Sequence, residues 1–396
     1  MLAPERTVRE TRRMRRLAAG LARIAATRRH RIRRGEPRSA LHVSPIMFGA
    51  DGMVGGGERA AYGFAQALAQ EIPTTLTTTG ARRETIRDGA LRIEVHPSPG
   101  TLGGQVFDPL CYGLLKQLRG ADVVHCHQYR VAVSQLAILA GAALGKPTFV
   151  TDMGGVGVHF DPDVPVERCL SGVLALSEFS LRWLPSGLPH RVIPTGVAKD
   201  FLDAGTLPDA GDHEIARVLF VGRIMRHKGI DVLLQALPSG VGADIVGHVY
   251  DPEFYELLQT LARDRDVRFI HNASDEQLIE TYRGALVTVL PSVYRDAFGG
   301  KWQMPELLGC VLQESMASGT PVICSDVGGM PEIVDHGVSG FVVPPNDPCS
   351  LGQRISELAR NPALRAAMGR QAHEQALERF AWPAIARRML AAYREC

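Results

Sequence analysis

Short apolar runs alternate with helix-length segments from about residue 40 to the end of the chain, and this alternation constrains the fold more than any other feature. Runs such as Val218–Val221 and Val287–Leu290 are apolar or β-branched at every position. Strands with that composition are buried on both faces, which is typical of parallel sheets covered by helices. The rhythm occurs twice, so the sequence predicts an α/β protein with two Rossmann-like domains.

The predicted strands of the first half are Leu41–Ile46, Thr74–Thr79, Leu91–His96, Asp122–His127, Thr148–Asp152, Val173–Ser177 and Arg191–Pro194. Those of the second half are Arg217–Val221, Asp244–Val246, Val267–Ile270, Val287–Leu290, Pro321–Cys324 and Phe341–Val343. Helix-like segments between them include Glu58–Ala69, Pro109–Arg119, Val131–Ala143 and Val311–Ser318. Thr195–Glu214 is rich in Gly, Pro, Asp and Ala and is the predicted linker.

The predicted organisation has four parts. A basic N-terminal arm covers residues 1–38, and two Rossmann-like domains cover residues 39–196 and 197–378. A final helix covers residues 379–396. In open α/β sheets, ligands bind beyond the carboxyl ends of the strands, so we expect the functional site in a cleft where the two domains face each other.

Composition excludes several classes of protein. A length of 396 residues exceeds one ordinary core, and no run of about 18 apolar residues is present to cross a membrane. The seven cysteines include no CxxC pair, so neither a zinc site nor a disulfide framework is indicated. We therefore expect a cytoplasmic protein with reduced thiols.

The arm carries most of the positive charge. Thirteen arginines oppose three glutamates in residues 1–38, a net charge of +10. Met14, Leu17, Leu21 and Ile24 recur at helical spacing, which predicts a basic amphipathic helix. One interpretation is peripheral docking on an anionic membrane, and another is a solvated or locally packed extension. A third is that translation begins at Met14. Nucleic-acid binding is not expected, because no aromatic residue lies among the arginines to stack on bases. A chain that begins at Ser39 is expected to stay folded.

A glycine-rich segment, Gly52–Ala60, follows the first predicted strand and opens a helix. Its glycines and Ala60 match the GxGxxA fingerprint of dinucleotide sites, but Thr77–Gly80 offers no carboxylate for a ribose, so NAD binding is excluded. Gly56 and Gly57 instead allow the backbone to approach an anion or a sugar at the helix start. The alternative interpretation is a tight turn from strand to helix.

Two cations follow the first predicted strand of the second half. Arg223 and Lys228 lie five residues apart, just beyond Val221. That position places both at the carboxyl end of a buried strand, where they suit a diphosphate without a metal. The alternative is that they form surface ion pairs.

Two glutamates eight residues apart bracket the start of a predicted helix. Glu306 precedes that helix and Glu314 lies inside it. The backbone near Leu308 and Gly309 lies at the helix start, where N–H groups bind phosphate oxygens. Glu314 lies among apolar and small residues, where an unpaired carboxylate is costly, so a bound hydroxyl or another donor is expected beside it.

Glu306 and Glu314, followed by Met316–Ile323, resemble the signature of the retaining family 4 glycosyltransferases (glycosyl transferases group 1), which have the GT-B fold. Further segments resemble the same family and occur in its order: Gly55–Arg59, Asp122–His127, Ser177–Ser180, Val192–Val197, Val221–Gly229, Pro291–Ser292 and Gly328–Glu332. The resemblance covers roughly residues 40 to 393 and leaves out the arm.

The resemblance implies roles for particular residues. It implies that Arg223 and Lys228 bind the donor diphosphate, that Glu314 binds the ribose, and that Gly56 and Gly57 belong to the donor site. It further assigns Glu306 and the backbone of Leu308 and Gly309 to the donor sugar, and His127 to a sugar hydroxyl or the reacting centre. His127, Glu306, Arg223 and Lys228 are thus the implied catalytic set.

The implied function is a retaining transfer of a sugar from a nucleoside-diphosphate sugar to a sugar-like, small-molecule or lipid-linked acceptor. The N-terminal domain would bind the acceptor, the C-terminal domain the donor, and the last helix would cross back to the N-terminal domain. No metal or other cofactor is expected. Two alternatives remain at this point: an epimerase of nucleotide sugars with the same fold, and a non-catalytic sugar-nucleotide binder.

Overall fold

The chain divides into two compact units in a computed structural model. The structure describes residues 4–28, 36–47, 56–98, 100–102, 108–154, 164–203 and 216–395. The first unit comprises Met1–Gly196 and Trp382–Cys396, and the second comprises Val197–Ala381. The chain thus passes between the units at Gly196–Val197 and at Ala381–Trp382.

The first unit is built on an eight-stranded sheet. Its strands are β1 (Ala40–Met47), β2 (Thr74–Gly80), β3 (Glu84–Asp88), β4 (Leu91–Pro97), β5 (Val123–His127), β6 (Thr148–Thr151), β7 (Gly172–Ala175) and β8 (His190–Val192). They lie in the order β3-β4-β2-β1-β5-β6-β7-β8. The helices are α1 (Pro4–Arg28), α2 (Gly56–Ala69) and α3 (Ala132–Ala143), and every residue of α3 is buried.

Two predictions about this unit are wrong. β3 is antiparallel to β4, so the sheet is not parallel throughout. The sequence concealed this edge strand because its residues are mostly exposed and polar. The helix predicted over Pro109–Arg119 is a 3₁₀ helix over Gly113–Gly120.

The arm is not separate from the first unit, which corrects the prediction drawn from its charge. Met14 and Ala18 of α1 are fully buried in the same apolar cluster as the core of α3. Ala25 packs with Ala142 and Ala143. Leu17 and Leu21 are partly buried against these clusters, whereas Ile24 is 47% exposed. Most of the predicted apolar stripe is therefore core, and a chain cut at Ser39 would expose the surface that it covers.

The second unit contains a six-stranded, wholly parallel sheet. Its strands are β9 (Arg217–Val221), β10 (Gly242–Val246), β11 (Val267–Ile270), β12 (Val287–Leu290), β13 (Val322–Ser325) and β14 (Gly340–Val343), in the order β11-β10-β9-β12-β13-β14. Its helices are α4 (Lys199–Leu202), α5 (Ile230–Ala236), α6 (Pro252–Leu261), α7 (Asp275–Gly284), α8 (Cys310–Ala317), α9 (Pro348–Arg360) and α10 (Pro362–Phe380).

The final helix, α11 (Trp382–Glu395), returns the chain to the first unit. The indole of Trp382 packs against Gly63 and Gly196, where any larger residue would collide with its ring. The hydroxyl of Tyr393 lies 2.6 Å from Nδ1 of His125. The helix predicted over residues 379–396 therefore begins at Trp382 in the structure. Among the described helices, none combines the length and the apolar composition needed to cross a bilayer.

Candidate active site

The carboxyl ends of β9 and β12 form the edge at which the strand order of the second sheet reverses. β9 lies between β10 and β12, so successive connections leave it on opposite sides. α/β sheets bind ligands at such switch points. Arg223 follows the last residue of β9 by two positions, and Ser292 follows β12 by two. The fold therefore brings the predicted diphosphate loop to the place where a ligand is expected.

Lys228 and Glu306 form a buried ion pair at this edge. Nζ of Lys228 donates to Oε1 of Glu306, and Oγ of Ser292 donates to the same oxygen at 3.0 Å. The Lys228 and Glu306 side chains are only 10% and 11% exposed. Buried charges require partners, and here each charge satisfies the other. The predicted diphosphate cation and the predicted sugar-binding carboxylate are thus in direct contact.

Two glycines fix the backbone on either side of this pair. Gly229 has φ 63°, and a Cβ there would lie 2.0 Å from the carbonyl oxygen of Pro291. Gly328 has φ 62°, and a Cβ there would lie 1.9 Å from the carbonyl oxygen of Glu306. Both positions combine left-handed backbone with close approach, which only glycine tolerates. The Lys228 turn can therefore reach the end of β12, and the Glu306 backbone can lie against the Gly328 turn.

Arg223 is exposed and lies beside an aromatic ring. Its guanidinium carbon is 5.8 Å from the ring centroid of Tyr250, which is itself 54% exposed. Backbone hydrogen bonds between Ile224 and the residues around Val249 hold this arrangement. Arg223 is thus a solvent-accessible cation at the end of β9, as a role in anion binding requires.

Glu314 lies within α8, which begins at Cys310 after Gly309. Oε2 of Glu314 accepts a hydrogen bond from the hydroxyl of Tyr282 at 2.8 Å. Leu308 is buried, and Gly309 is the left-handed residue at the helix start. The positive end of the helix dipole therefore lies at Leu308 and Gly309, and the phosphate or sugar contact expected there stays a prediction.

Sequence reasoning missed the residue that organises the loop before Glu306. Asp296 is 7% exposed, and its carboxylate accepts hydrogen bonds from the backbone N–H groups of Phe298 and Gly300 and from Nε1 of Trp302. The Trp302 ring in turn packs on His227, with centroids 4.6 Å apart. The signal was an aspartate followed closely by two glycines, a pattern typical of tight turns.

His127, the last residue of β5, is fully buried in the first unit. Its Nε2 lies 3.0 Å from Nδ1 of His42, and Phe64 stacks on its ring. Burial lowers the pKa of His127 to about 3, so the ring is neutral near pH 7. Within the described residues, Nδ1 of His127 is buried and has no hydrogen-bond partner. The sugar contact expected of His127 stays a prediction.

His42 was not predicted, although it pairs in register with His125 across β1 and β5. His42 could have been linked to His125 only if the pairing of β1 with β5 had been known. His42, His125 and His127 form a buried cluster in which one ring nitrogen from each lies within 4.8 Å of the others. Both ring nitrogens of His125 already have partners, Tyr393 and Thr151.

The glycine loop is described only from its helical end. Gly56 and Gly57 open α2, and a Cβ at Gly57 would lie 3.4 Å from Cβ of Met153. The preceding part of the predicted loop, Gly52–Gly55, lies outside the described residues. The donor contact assigned to Gly56 and Gly57 therefore stays a prediction.

Residues 211–375 match the family described as glycosyl transferases group 1. The second unit is a group 1 glycosyltransferase domain. The pair Lys228 and Glu306, the exposed Arg223 and the helix that carries Glu314 all lie within this match.

Curated relatives match part of the chain at moderate identity. The D-inositol 3-phosphate glycosyltransferase of Corynebacterium kroppenstedtii is 32% identical over 192 residues, covering 45% of this chain and 40% of the relative. The enzyme of that name from Streptomyces avermitilis is 36% identical over 184 residues, covering 42% and 37%. The chain thus spans less than half the length of these two relatives.

Solved structures show the same GT-B fold over nearly the whole chain. Sucrose-phosphate synthase from Thermosynechococcus elongatus has a TM-score of 0.62 at 23% identity, covering 90% of this chain and 98% of its own. Anabaena HepE in complex with UDP-glucose has a TM-score of 0.63 at 19% identity, covering 90% and 100%. At these identities the likeness establishes the fold alone.

Proposed function

We propose that the chain transfers a sugar, with retention of anomeric configuration, from a nucleoside-diphosphate sugar to an acceptor. The observation that carries the proposal is the buried contact of Lys228 with Glu306 at the switch point of the group 1 domain. A cation and a carboxylate placed together there suit a diphosphate and the sugar attached to it. The exposed Arg223 adds a second cation near the same edge.

The proposed chemistry depends on neutralising the leaving group. As the bond to the sugar breaks, negative charge grows on the diphosphate and an oxocarbenium-like centre forms on the sugar. Arg223, Lys228 and the positive end of α8 stabilise that charge, so no resident metal is required. The acceptor hydroxyl attacks from the face that the diphosphate leaves, and the departing phosphate takes its proton.

Donor binding would also change the partners of the ion pair. The diphosphate replaces Glu306 as the partner of Lys228, and the released carboxylate accepts a hydrogen bond from a sugar hydroxyl. Because Lys228 and Glu306 are each about nine-tenths buried, neither charge can lose its partner without another taking its place. The ion pair thus couples diphosphate binding to sugar binding.

The test is a donor screen with the purified chain. UDP-, GDP- and ADP-glucose are incubated with and without a panel of sugar and small-molecule acceptors, and release of the nucleoside diphosphate is followed. UDP-glucose is tried first, because HepE, which shares the fold, was solved with it. We expect release that depends on an acceptor, together with a glycosylated product. Conversion of the donor sugar without an acceptor would indicate an epimerase, binding without turnover a non-catalytic binder, and no binding would overturn the proposal.

We also propose peripheral contact with anionic membranes through the outer face of α1. Because the apolar stripe is mostly buried, the contact would rest on arginines that are all exposed: Arg9, Arg12, Arg13, Arg15, Arg16 and Arg23. Each contributes about 1 kcal/mol near an anionic surface, and salt screens the attraction. The full chain should co-sediment with phosphatidylserine vesicles at low salt, and alanine at Arg9, Arg12 and Arg16 should markedly weaken this. Equal sedimentation of the variant and the unchanged chain would contradict the contact.

A further inference from the structure

Tyr282 connects the group 1 domain core to Glu314. It lies at the end of α7 and is fully buried, and its hydroxyl donates to Oε2 of Glu314 at 2.8 Å. Glu314 itself is only partly buried. One carboxylate therefore has an oxygen bound to a core residue while the side chain still reaches accessible surface.

Two contacts hold Tyr282 in place. Its backbone carbonyl accepts a hydrogen bond from Oγ1 of Thr320 at 2.7 Å, and its ring packs edge-on against Phe201 at 5.9 Å between centroids. A donor fixed in this way restricts the rotation of the carboxylate that it binds. Positioning of this kind lowers the entropic cost of binding a ligand.

The hydroxyl also stays a donor. Burial and the neighbouring Glu314 carboxylate raise the pKa of Tyr282 well above its ordinary value. The phenol therefore keeps its proton near neutral pH and can donate it to Oε2 of Glu314. Ligand hydroxyls would then meet a carboxylate of fixed orientation.

We propose that Tyr282 is a positioning residue that orients Glu314 toward the ribose hydroxyls of the donor nucleotide. The inference rests on the proposed function, because it takes the ribose as the ligand of Glu314. Tyr282 does not touch the ligand in this account. Its contribution appears only when a ribose hydroxyl is present to be bound.

The test compares Tyr282→Phe with the unchanged chain. Phenylalanine keeps the ring packing and removes only the hydroxyl. Dissociation constants are measured by calorimetry for UDP, GDP and ADP, and for the 2′-deoxy and 3′-deoxy forms of the nucleotide that binds. We expect about a 10-fold weaker affinity of Tyr282→Phe for the ribonucleotide, the scale of one hydrogen bond to a charged group. For the deoxy form that lacks the bound hydroxyl, both chains should have equal affinity.

Tyr62→Phe is the matched control. The Tyr62 hydroxyl also donates to a carboxylate, that of Asp88, but in the first unit. This variant should bind each nucleotide as the unchanged chain does. If Tyr282→Phe fails to fold, Tyr282→Met serves instead: its flexible apolar side chain fills a buried site, it cannot donate to Glu314, and it should show the same selective loss.

The outcomes separate this inference from the proposed function. Equal weakening for ribonucleotide and deoxy forms, or no weakening, overturns the role of Tyr282 alone. Failure of the unchanged chain to bind any of the three nucleotides overturns the proposed function, and this role with it.

Discussion

At the scale of single residues, the proposed chemistry depends on two cations, Arg223 and Lys228. Lys228→Ala or Arg223→Ala should lower turnover with saturating donor by about 10²-fold or more, because each removes electrostatic stabilisation from the leaving diphosphate. Initial-rate measurements of nucleoside-diphosphate release test this. Lys199→Ala is the control, since that exposed lysine pairs with Asp203 in the same unit and should change nothing. Unchanged rates in both site variants would remove these cations from the mechanism.

The buried histidines predict a pH dependence of stability. The pKa of His127 is lowered to about 3 by burial, whereas an unfolded histidine titrates near 6.5. Between these values the unfolded chain binds a proton that the folded chain does not, so the stabilisation is complete above pH 6.5 and is lost as the pH falls. The slope reaches about 1.4 kcal/mol per pH unit for one such group.

His127→Phe should therefore flatten the dependence of the free energy of unfolding on pH between 7.5 and 5, measured by urea denaturation. His190→Phe, at an exposed histidine of β8, should leave the slope unchanged. Parallel slopes for His127→Phe and the unchanged chain would show that His127 does not differ in protonation between the two states.

The residues of the site differ in how far the sequence could reveal them. Arg223, Lys228 and Glu306 could be predicted to lie near one sheet edge because the ends of parallel strands meet there. The ion pair between Lys228 and Glu306 could not be predicted. Side-chain packing decides whether Lys228 contacts Glu306 or joins Arg223 in binding an anion. Tyr282 and Asp296 were missed because each acts through hydrogen bonds that the fold, not a motif, creates.

At the scale of elements, apolar runs bounded by polar or turn residues predicted the first and last residues of β9, β11 and β12 correctly. β3 was not predicted, because an exposed edge strand has no such apolar run. The stripe of α1 was visible, but a stripe of that kind fits a protein core and a membrane equally well. Its length and charge could not decide between these partners, since the decision lies in the complementary surface of α3.

The packing of α1 against α3 predicts how substitutions in α1 change the stability of the protein. Met14→Ala should lower the free energy of unfolding by about 2–5 kcal/mol, because it leaves a cavity beside α3. Arg12→Ala, on the exposed face of the helix, should change it by less than about 0.5 kcal/mol. Chemical denaturation compares the two variants. A neutral Met14→Ala would mean that α1 does not contribute to the core in solution.

Two helical glycines provide a matched test of the α11 contact. A Cβ at Gly63 in α2 would lie 2.2 Å from the Trp382 ring, whereas nothing lies within 4 Å of one at Gly20 in α1. Gly63→Ala should destabilise the protein by about 1–3 kcal/mol through overpacking. Gly20→Ala should stabilise it by about 0.5–1 kcal/mol, since alanine is the better helix former. Thermal melts would contradict the contact if both substitutions stabilised the protein.

At the scale of the whole molecule, two units with separate sheets predict two unfolding transitions in scanning calorimetry. Arg223, Lys228 and Glu314, to which the diphosphate and ribose contacts are assigned, lie in the second unit, so the nucleoside diphosphate identified by the donor screen should raise that unit's transition more than the other. A ligand at 100 times its dissociation constant adds about 2.7 kcal/mol to the free energy of unfolding of the unit that binds it. Met14→Ala assigns the other transition by lowering it alone, and Lys228→Ala should abolish the ligand shift. A single transition that moves with both the ligand and Met14→Ala would mean that the units unfold together. Binding measurements, rather than stability, would then have to show which unit holds the nucleotide.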